Sequence, residues 1–188
     1  MGRKKLGLVL IIAGCMLWLG LGVYRVFYAQ DLSFAVPPTL RDSGASVGAG
    51  EQVDIVGVLP KRIVIEKAGI DLPVFAGEIV KGKWTVVANG ANHWRESAKL
   101  GEKGNVVIYG HNWKNLFGPI QGLKEGDEIQ AWGENDQVFN YTITKTMSVK
   151  PTAVEIVLPT EEPQLTLYTC IGFLDKERFV VIAKPRLE

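Results

Sequence analysis

From Arg62 onward the chain is cut into short apolar runs by turn-forming residues, and that punctuation excludes most folds. Residues 62–65 and 72–75 flank a turn at Gly69. Further runs cover residues 84–88, 106–109, 127–132, 138–149, 165–170 and 179–184, separated by Gly, Asn, Asp or Pro. Residues 138–149 alternate, with Phe139, Tyr141 and Ile143 on one face and Asn140, Thr142 and Thr144 on the other, the period-2 pattern of a strand. Helical signal is weak. Residues 116–123 predict one turn or a short helix, and residues 153–158 read equally as a short helix or a strand. About eight short strands with tight connections predict an all-β sandwich or barrel with one or two short helices.

Ahead of this β region the chain changes character. Residues 1–5 carry Arg3, Lys4 and Lys5, and residues 6–23 contain no charged side chain. With Tyr24, Phe27 and Tyr28 extending its edge, the segment 6–28 is long enough for an uncleaved transmembrane signal anchor, since about 20 residues cross the hydrocarbon core. The flanking basic residues place residues 1–5 in the cytoplasm and the rest of the chain outside. Two other readings are weighed. A signal peptide could be cleaved near Ser33-Phe34-Ala35, and Ile12-Ala13-Gly14-Cys15 has the form of a lipobox. Against both, the apolar run continues from Met16 to Val23 and ends in aromatics. Residues 29–60, with Pro37-Pro38, Gly44, Gly48 and Gly50, read as a flexible linker to a domain at 61–188. The stretch from about Gln30 to Glu51, about 22 flexible residues, gives an average reach of roughly 25 Å, so the domain would stay close to the membrane.

The balance of 21 Lys+Arg against 20 Asp+Glu argues against nucleic acid as a partner. No repeat period of a solenoid or propeller is present. The chain has two cysteines, and Cys15 lies in the apolar segment while Cys170 lies in the β region. They cannot pair, so the exported domain is expected to hold a free thiol in a compartment that permits disulfides.

Cys170 ends the run Thr166-Leu167-Tyr168-Thr169-Cys170, and Arg178 opens the next run eight residues later. If the two runs pair antiparallel, Cys170 and Arg178 stand together at the loop end. His111 directly follows the run 106–109. All three fall at strand ends, where a rigid scaffold gives way to loops. Alternation puts Thr166, Tyr168 and Cys170 on one face and Leu165, Leu167 and Thr169 on the other. Together a thiol, an imidazole and a guanidinium provide a nucleophile, a proton carrier and an anion stabiliser. Singly each has a plainer reading: a buried small hydrophobe, a loop histidine, a solvated charge.

These residues resemble the sortase family of membrane-bound cysteine transpeptidases. The signature Thr-Leu-x-Thr-Cys is met by residues 166–170, the histidine segment by Val107-Ile108-Tyr109-Gly110-His111-Asn112, and the arginine by Arg178-Phe179-Val180-Val181. Weaker framing motifs match at 62–70, 101–105 and 123–127. The resemblance implies a closed eight-stranded β-barrel of the sortase type. It implies cleavage of a Leu-Pro-x-Thr-Gly-like sorting signal between Thr and Gly, with the acyl group held on Cys170 as a thioester until an amine takes it. In that scheme His111 is the acid and base, Arg178 steadies the substrate or oxyanion, and Thr169 and His93 line the substrate groove, His93 alternatively being structural. Expected partners are secreted proteins bearing sorting signals and an amine acceptor, either a wall precursor or a pilin lysine. No cofactor is expected, and no acidic cluster is clear enough to claim a metal site. Asn112 and Ile171-Gly172 depart from common family patterns, which leaves the subclass open. A hydrolase, a pilus-polymerising sortase and a non-catalytic exported β-module remain as alternatives.

Overall fold

The computed structural model describes residues 11–20 and 57–186. Residues 11–20 are helical and belong to a different compact unit from the β region. Among the described residues no helix is long and apolar enough to cross a membrane. The expected basic tail, most of the expected anchor and residues 29–56 of the expected linker lie outside the described residues.

The β region contains ten strands. They are β1 (Pro60–Ile65), β2 (Ile70–Gly77), β3 (Ile79–Val80), β4 (Lys83–Trp84), β5 (Ala91–Trp94), β6 (Asn105–Tyr109), β7 (Glu128–Gly133), β8 (Val138–Val149), β9 (Gln164–Ile171) and β10 (Glu177–Pro185). Eight of them close a barrel in the order β1-β2-β5-β6-β9-β10-β8-β7, and β3 and β4 form a separate small hairpin. Two barrel pairings, β2 with β5 and β6 with β9, are parallel. The backbone joins the barrel ahead of β1, because Val58 exchanges hydrogen bonds with Leu100 at 3.0 Å.

Two layers of side chains hold this sheet. Inside the barrel, Ile63, Ile65, Val106, Ile108, Ile129, Ala131, Leu165, Leu167, Val181 and Ala183 form an aliphatic core. Outside it, on the β5-β6-β9-β10 wall, Trp84, Trp94, Val107, Tyr109, Tyr168, Cys170 and Val180 form a second cluster. The alternation expected along residues 165–170 is therefore present, but both faces are buried. A strand covered on both sides loses the polar half of its pattern, which is why β6 is buried along its whole length.

Two local expectations differ from the structure. Of residues 84–88 only Trp84 is in a strand. The chain leaves the hairpin there, so that Trp84 lies 5.0 Å from Trp94 and 5.1 Å from Tyr109, ring centre to ring centre. Tyr109 in turn donates its hydroxyl to the Thr85 carbonyl at 2.8 Å. Strand β5 was not evident in the sequence, being four residues between Gly90 and a turn. Within the β region the helices are single 3-10 turns, including Gly118–Gly122 and Val154–Ile156.

Candidate active site

The site arises where three barrel strands end together. Antiparallel pairing of β9 with β10 sets Arg178 directly opposite Cys170, and residues paired across an antiparallel ladder point to the same face. Parallel pairing of β6 with β9 sets Tyr109 beside Tyr168. The contact continues past the end of β6, as Gly110 N–H donates to the Tyr168 carbonyl at 3.3 Å. Thr169 closes the same junction by donating its hydroxyl to the Gly110 carbonyl at 2.7 Å. Carried one residue further, that register would set His111 level with Cys170. The β9–β10 pairing thus sets the thiol opposite the guanidinium on the outer wall of the barrel, and the β6–β9 contact runs up to Gly110, the residue before His111.

At this junction a Cβ on Gly110 would lie 3.2 Å from the Phe117 ring, so any larger residue would crowd it. Phe117 is fully buried, and its N–H donates to the His111 carbonyl at 3.0 Å. The loop after β6 is therefore folded back under its own histidine.

His111 is half-buried and stacks on Trp113 with ring centres 4.6 Å apart and planes 11° from parallel. Burial lowers its pKa below the usual imidazole range, while the charge of Asp175 opposes that shift. Loss of water around the ring disfavours the charged form, and a neighbouring carboxylate favours it. At neutral pH the neutral ring then predominates, ready to accept a proton.

Cys170 is buried, with 1% of its surface exposed, and Arg178 is nearly as buried at 2%. A charged group so enclosed must be held by acceptors. The Arg178 Nη1 donates to the Asp175 carbonyl at 2.8 Å and to the Glu177 carbonyl at 3.1 Å. Asp175 belongs to the tight loop that joins β9 to β10, so the arginine is oriented by the turn that precedes it.

Within the pentapeptide, each position carries a different load. The hydroxyl of Thr166 donates to Asn105 Oδ1 at 2.7 Å. Asn105 in turn donates to the Ile156 and Leu158 carbonyls at 3.0 and 3.1 Å, latching the β8–β9 connection to the barrel. Leu167 fills the interior. Tyr168 stacks on Tyr109 with centres 5.3 Å apart. Thr169 ties β9 to Gly110, and Cys170 takes the outer face.

The structure places Thr169 and His93, both expected beside the groove, inside the protein and hydrogen-bonded to backbone. Thr169 is fully buried and engaged with Gly110. His93 lies on β5 with its Nε2 3.0 Å from the Ala98 carbonyl and 3.1 Å from Ser97 Oγ. Ser97 bridges onward, donating to the Trp94 carbonyl and accepting from Val107 N–H. His93 thus ties down the turn after β5, consistent with its structural reading. Two residues went unnoticed in the sequence, Trp113 and Asp175. Trp113 stood two places after the histidine, but nothing in that spacing signals a stacked ring.

The comparisons with known proteins agree with this architecture. The Sortase domain family model matches residues 63–186, and the chain belongs to the sortase family. Sortase A of Bacillus anthracis is 31% identical over 125 residues, covering 65% of this chain and 57% of that protein. Sortase A of Listeria monocytogenes is 32% identical over 114 residues, covering 57% of this chain and 47% of its own length. The chain therefore spans about half the length of the curated relatives it matches. Among solved structures, sortase A from Corynebacterium diphtheriae superposes with a TM-score of 0.59 at 25% identity, over 70% of this chain and 61% of that one. A Listeria monocytogenes sortase A structure gives 0.57 at 28% identity, over 70% and 88% of the two chains.

Proposed function

We propose that this chain is a membrane-tethered cysteine transpeptidase that cleaves a Leu-Pro-x-Thr-Gly-like sorting signal between Thr and Gly. The observation that carries the reading is the antiparallel pairing that sets Arg178 opposite Cys170, with the β6–β9 contact running up to Gly110, the residue before His111. The family membership and the curated sortase A relatives support it. So does a structural neighbour from Clostridium perfringens described as a sortase D5 transpeptidase, 28% identical with a TM-score of 0.58.

In the proposed cycle the Cys170 thiol passes its proton to the neutral His111 ring, and the resulting thiolate attacks the threonyl carbonyl carbon. The Sγ–C bond forms as the carbonyl electrons move onto oxygen, and the Arg178 guanidinium stabilises that charge. The tetrahedral intermediate collapses, the C–N bond breaks, and protonated His111 gives its proton to the departing glycyl amine. A thioester remains on Cys170. An acceptor amine then attacks the same carbon and His111 takes up the amine's proton. An amide forms, and the thiolate is released. Depressed basicity of His111 suits the second half, where a neutral ring is required.

The segment 6–28 would anchor the chain in the cell membrane with the catalytic domain outside. Substrate and enzyme would then share one surface, which raises their effective concentration without new contacts. Cell-wall anchoring is the proposed role.

The test is mass spectrometry of the chain incubated with a Leu-Pro-x-Thr-Gly peptide, with and without an amine acceptor. A thioester adduct on Cys170 that is discharged to a new amide by the amine is the expected result. Discharge to water alone would make the chain a hydrolase. Absence of an adduct with any sorting-type peptide, together with full activity in Cys170→Ala, would sink the enzymatic reading.

A further inference from the structure

The loop between β9 and β10 has only five residues, 172–176, and three of them lie at positive φ. Gly172 is at 81°, Leu174 at 57° and Asp175 at 55°. A left-handed backbone is uncommon for side chains other than Asn and Asp, whose short polar groups tolerate it. Two successive non-glycine residues in that region turn the chain sharply, and the turn has a definite product. It aims the Asp175 carbonyl at Arg178, 2.8 Å from Nη1. The loop is also closed on itself, with Asp175 N–H donating to the Gly172 carbonyl at 3.3 Å.

The side chain of Asp175 has a second effect. It is half-buried, and its negative charge acts on the imidazole of His111, holding the ring's titration up against the burial that pushes it down. Other charged residues stand on the surrounding elements: Lys114 on the histidine's own loop, Lys176 in the turn, and Glu177 and Arg178 on β10. The charge of Asp175 acts on His111 against the effect of burial.

We propose that Asp175 is a positioning residue that serves both groups flanking Cys170, its backbone carbonyl orienting the Arg178 guanidinium and its carboxylate facing the His111 ring. A single residue in a strained turn would then couple the proton carrier to the anion stabiliser. The proposal rests on His111 and Arg178 serving Cys170 as set out above.

Three variants of the chain in detergent separate the two halves. Asp175→Asn and Asp175→Gly keep the left-handed backbone and remove the charge. Asp175→Val removes the charge and also disfavours the backbone, because a β-branched residue resists positive φ. The chain has two histidines, so an NMR titration resolves His111 with His93 as internal control. In Asp175→Asn and Asp175→Gly the His111 midpoint should fall by about half a unit while His93 stays put. With a fluorogenic Leu-Pro-x-Thr-Gly peptide and glycylglycine as acceptor, kcat should fall about threefold to tenfold in both, with KM unchanged. Asp175→Val, checked as folded by circular dichroism, should lose at least about tenfold more in kcat. An unmoved His111 midpoint in both the Asn and Gly variants overturns the carboxylate half, and equal kcat in Val and Gly overturns the carbonyl half. The titration requires no turnover. If Cys170→Ala proved fully active, the functional reading would fall while the His111 midpoint still decided this proposal.

Discussion

The two faces of β9 differ in what their residues can be replaced by. On the inner face Leu165 and Leu167 join an aliphatic core in which Ile, Val, Leu and Ala recur. Such a surface asks for volume and little else. On the outer face Thr166, Tyr168 and Cys170 sit among Trp84, Trp94, Tyr109 and Arg178, where rings, hydroxyls and a charge are buried together. Each polar atom there needs a partner at a fixed angle, so shape alone is not enough. The inner face fills the barrel, and the outer face presents the groups proposed to carry the chemistry.

The sharpest break between the faces is expected at Cys170. Cys170→Ala should lose transpeptidation by more than about a thousandfold while its thermal unfolding midpoint stays close to the parent's, as read by peptide assay and calorimetry. Leu167→Ala should do the reverse. It should lower unfolding free energy by about 2–5 kcal/mol in urea titrations, with kcat per folded molecule preserved.

Thr169→Val tests a residue that belongs to both faces, since its hydroxyl joins β9 to the carbonyl just before His111. It should cost about 1–3 kcal/mol, because the Gly110 carbonyl is left buried without that donor, and it should lower kcat by about tenfold. A variant with the stability loss but intact kcat would show that the junction is structural only.

Two smaller effects concern the histidines. Trp113→Ala removes a ring that shields His111, so the imidazole should titrate higher, closer to its ordinary value near 6.5. His93 is the contrasting case. Burial lowers its pKa, opposed by its bond to the Ala98 carbonyl and the charge of Glu102, with Lys99 lowering it slightly further. The folded protein therefore binds that proton less readily than the unfolded chain. The resulting stability is fully present above about pH 6.5 and is lost as pH falls toward the depressed folded value. His93→Gln should flatten the stability profile in that window, measured by urea midpoints at stepped pH, and should leave kcat largely unchanged.

Much of the barrel could be read from the chain because its strands are short and its turns are chemically marked. Residues 138–149 show their alternation openly, and that run is β8 from end to end. Segments without such marks were misread. The run 84–88 announced a strand but only Trp84 lies in one, its ring packed on Trp94 and Tyr109, and β5 lies hidden between polar residues because Asn92 and His93 are buried by hydrogen bonds. A polar residue satisfied from a distant segment looks, in sequence, like one facing water.

Local chemistry determined the nucleophile candidate, its arginine eight residues on and the histidine after a strand, because strand ends and turns are written in neighbouring residues. What only the tertiary structure decided is how these groups are held. The parallel pairing of β6 with β9 joins segments more than fifty residues apart, and nothing local encodes which strand will lie beside which. The bond from Thr169 to Gly110 and the latch of Asn105 on the β8–β9 connection follow from that closure. They depend on distances across the barrel, which the order of residues along the chain does not contain.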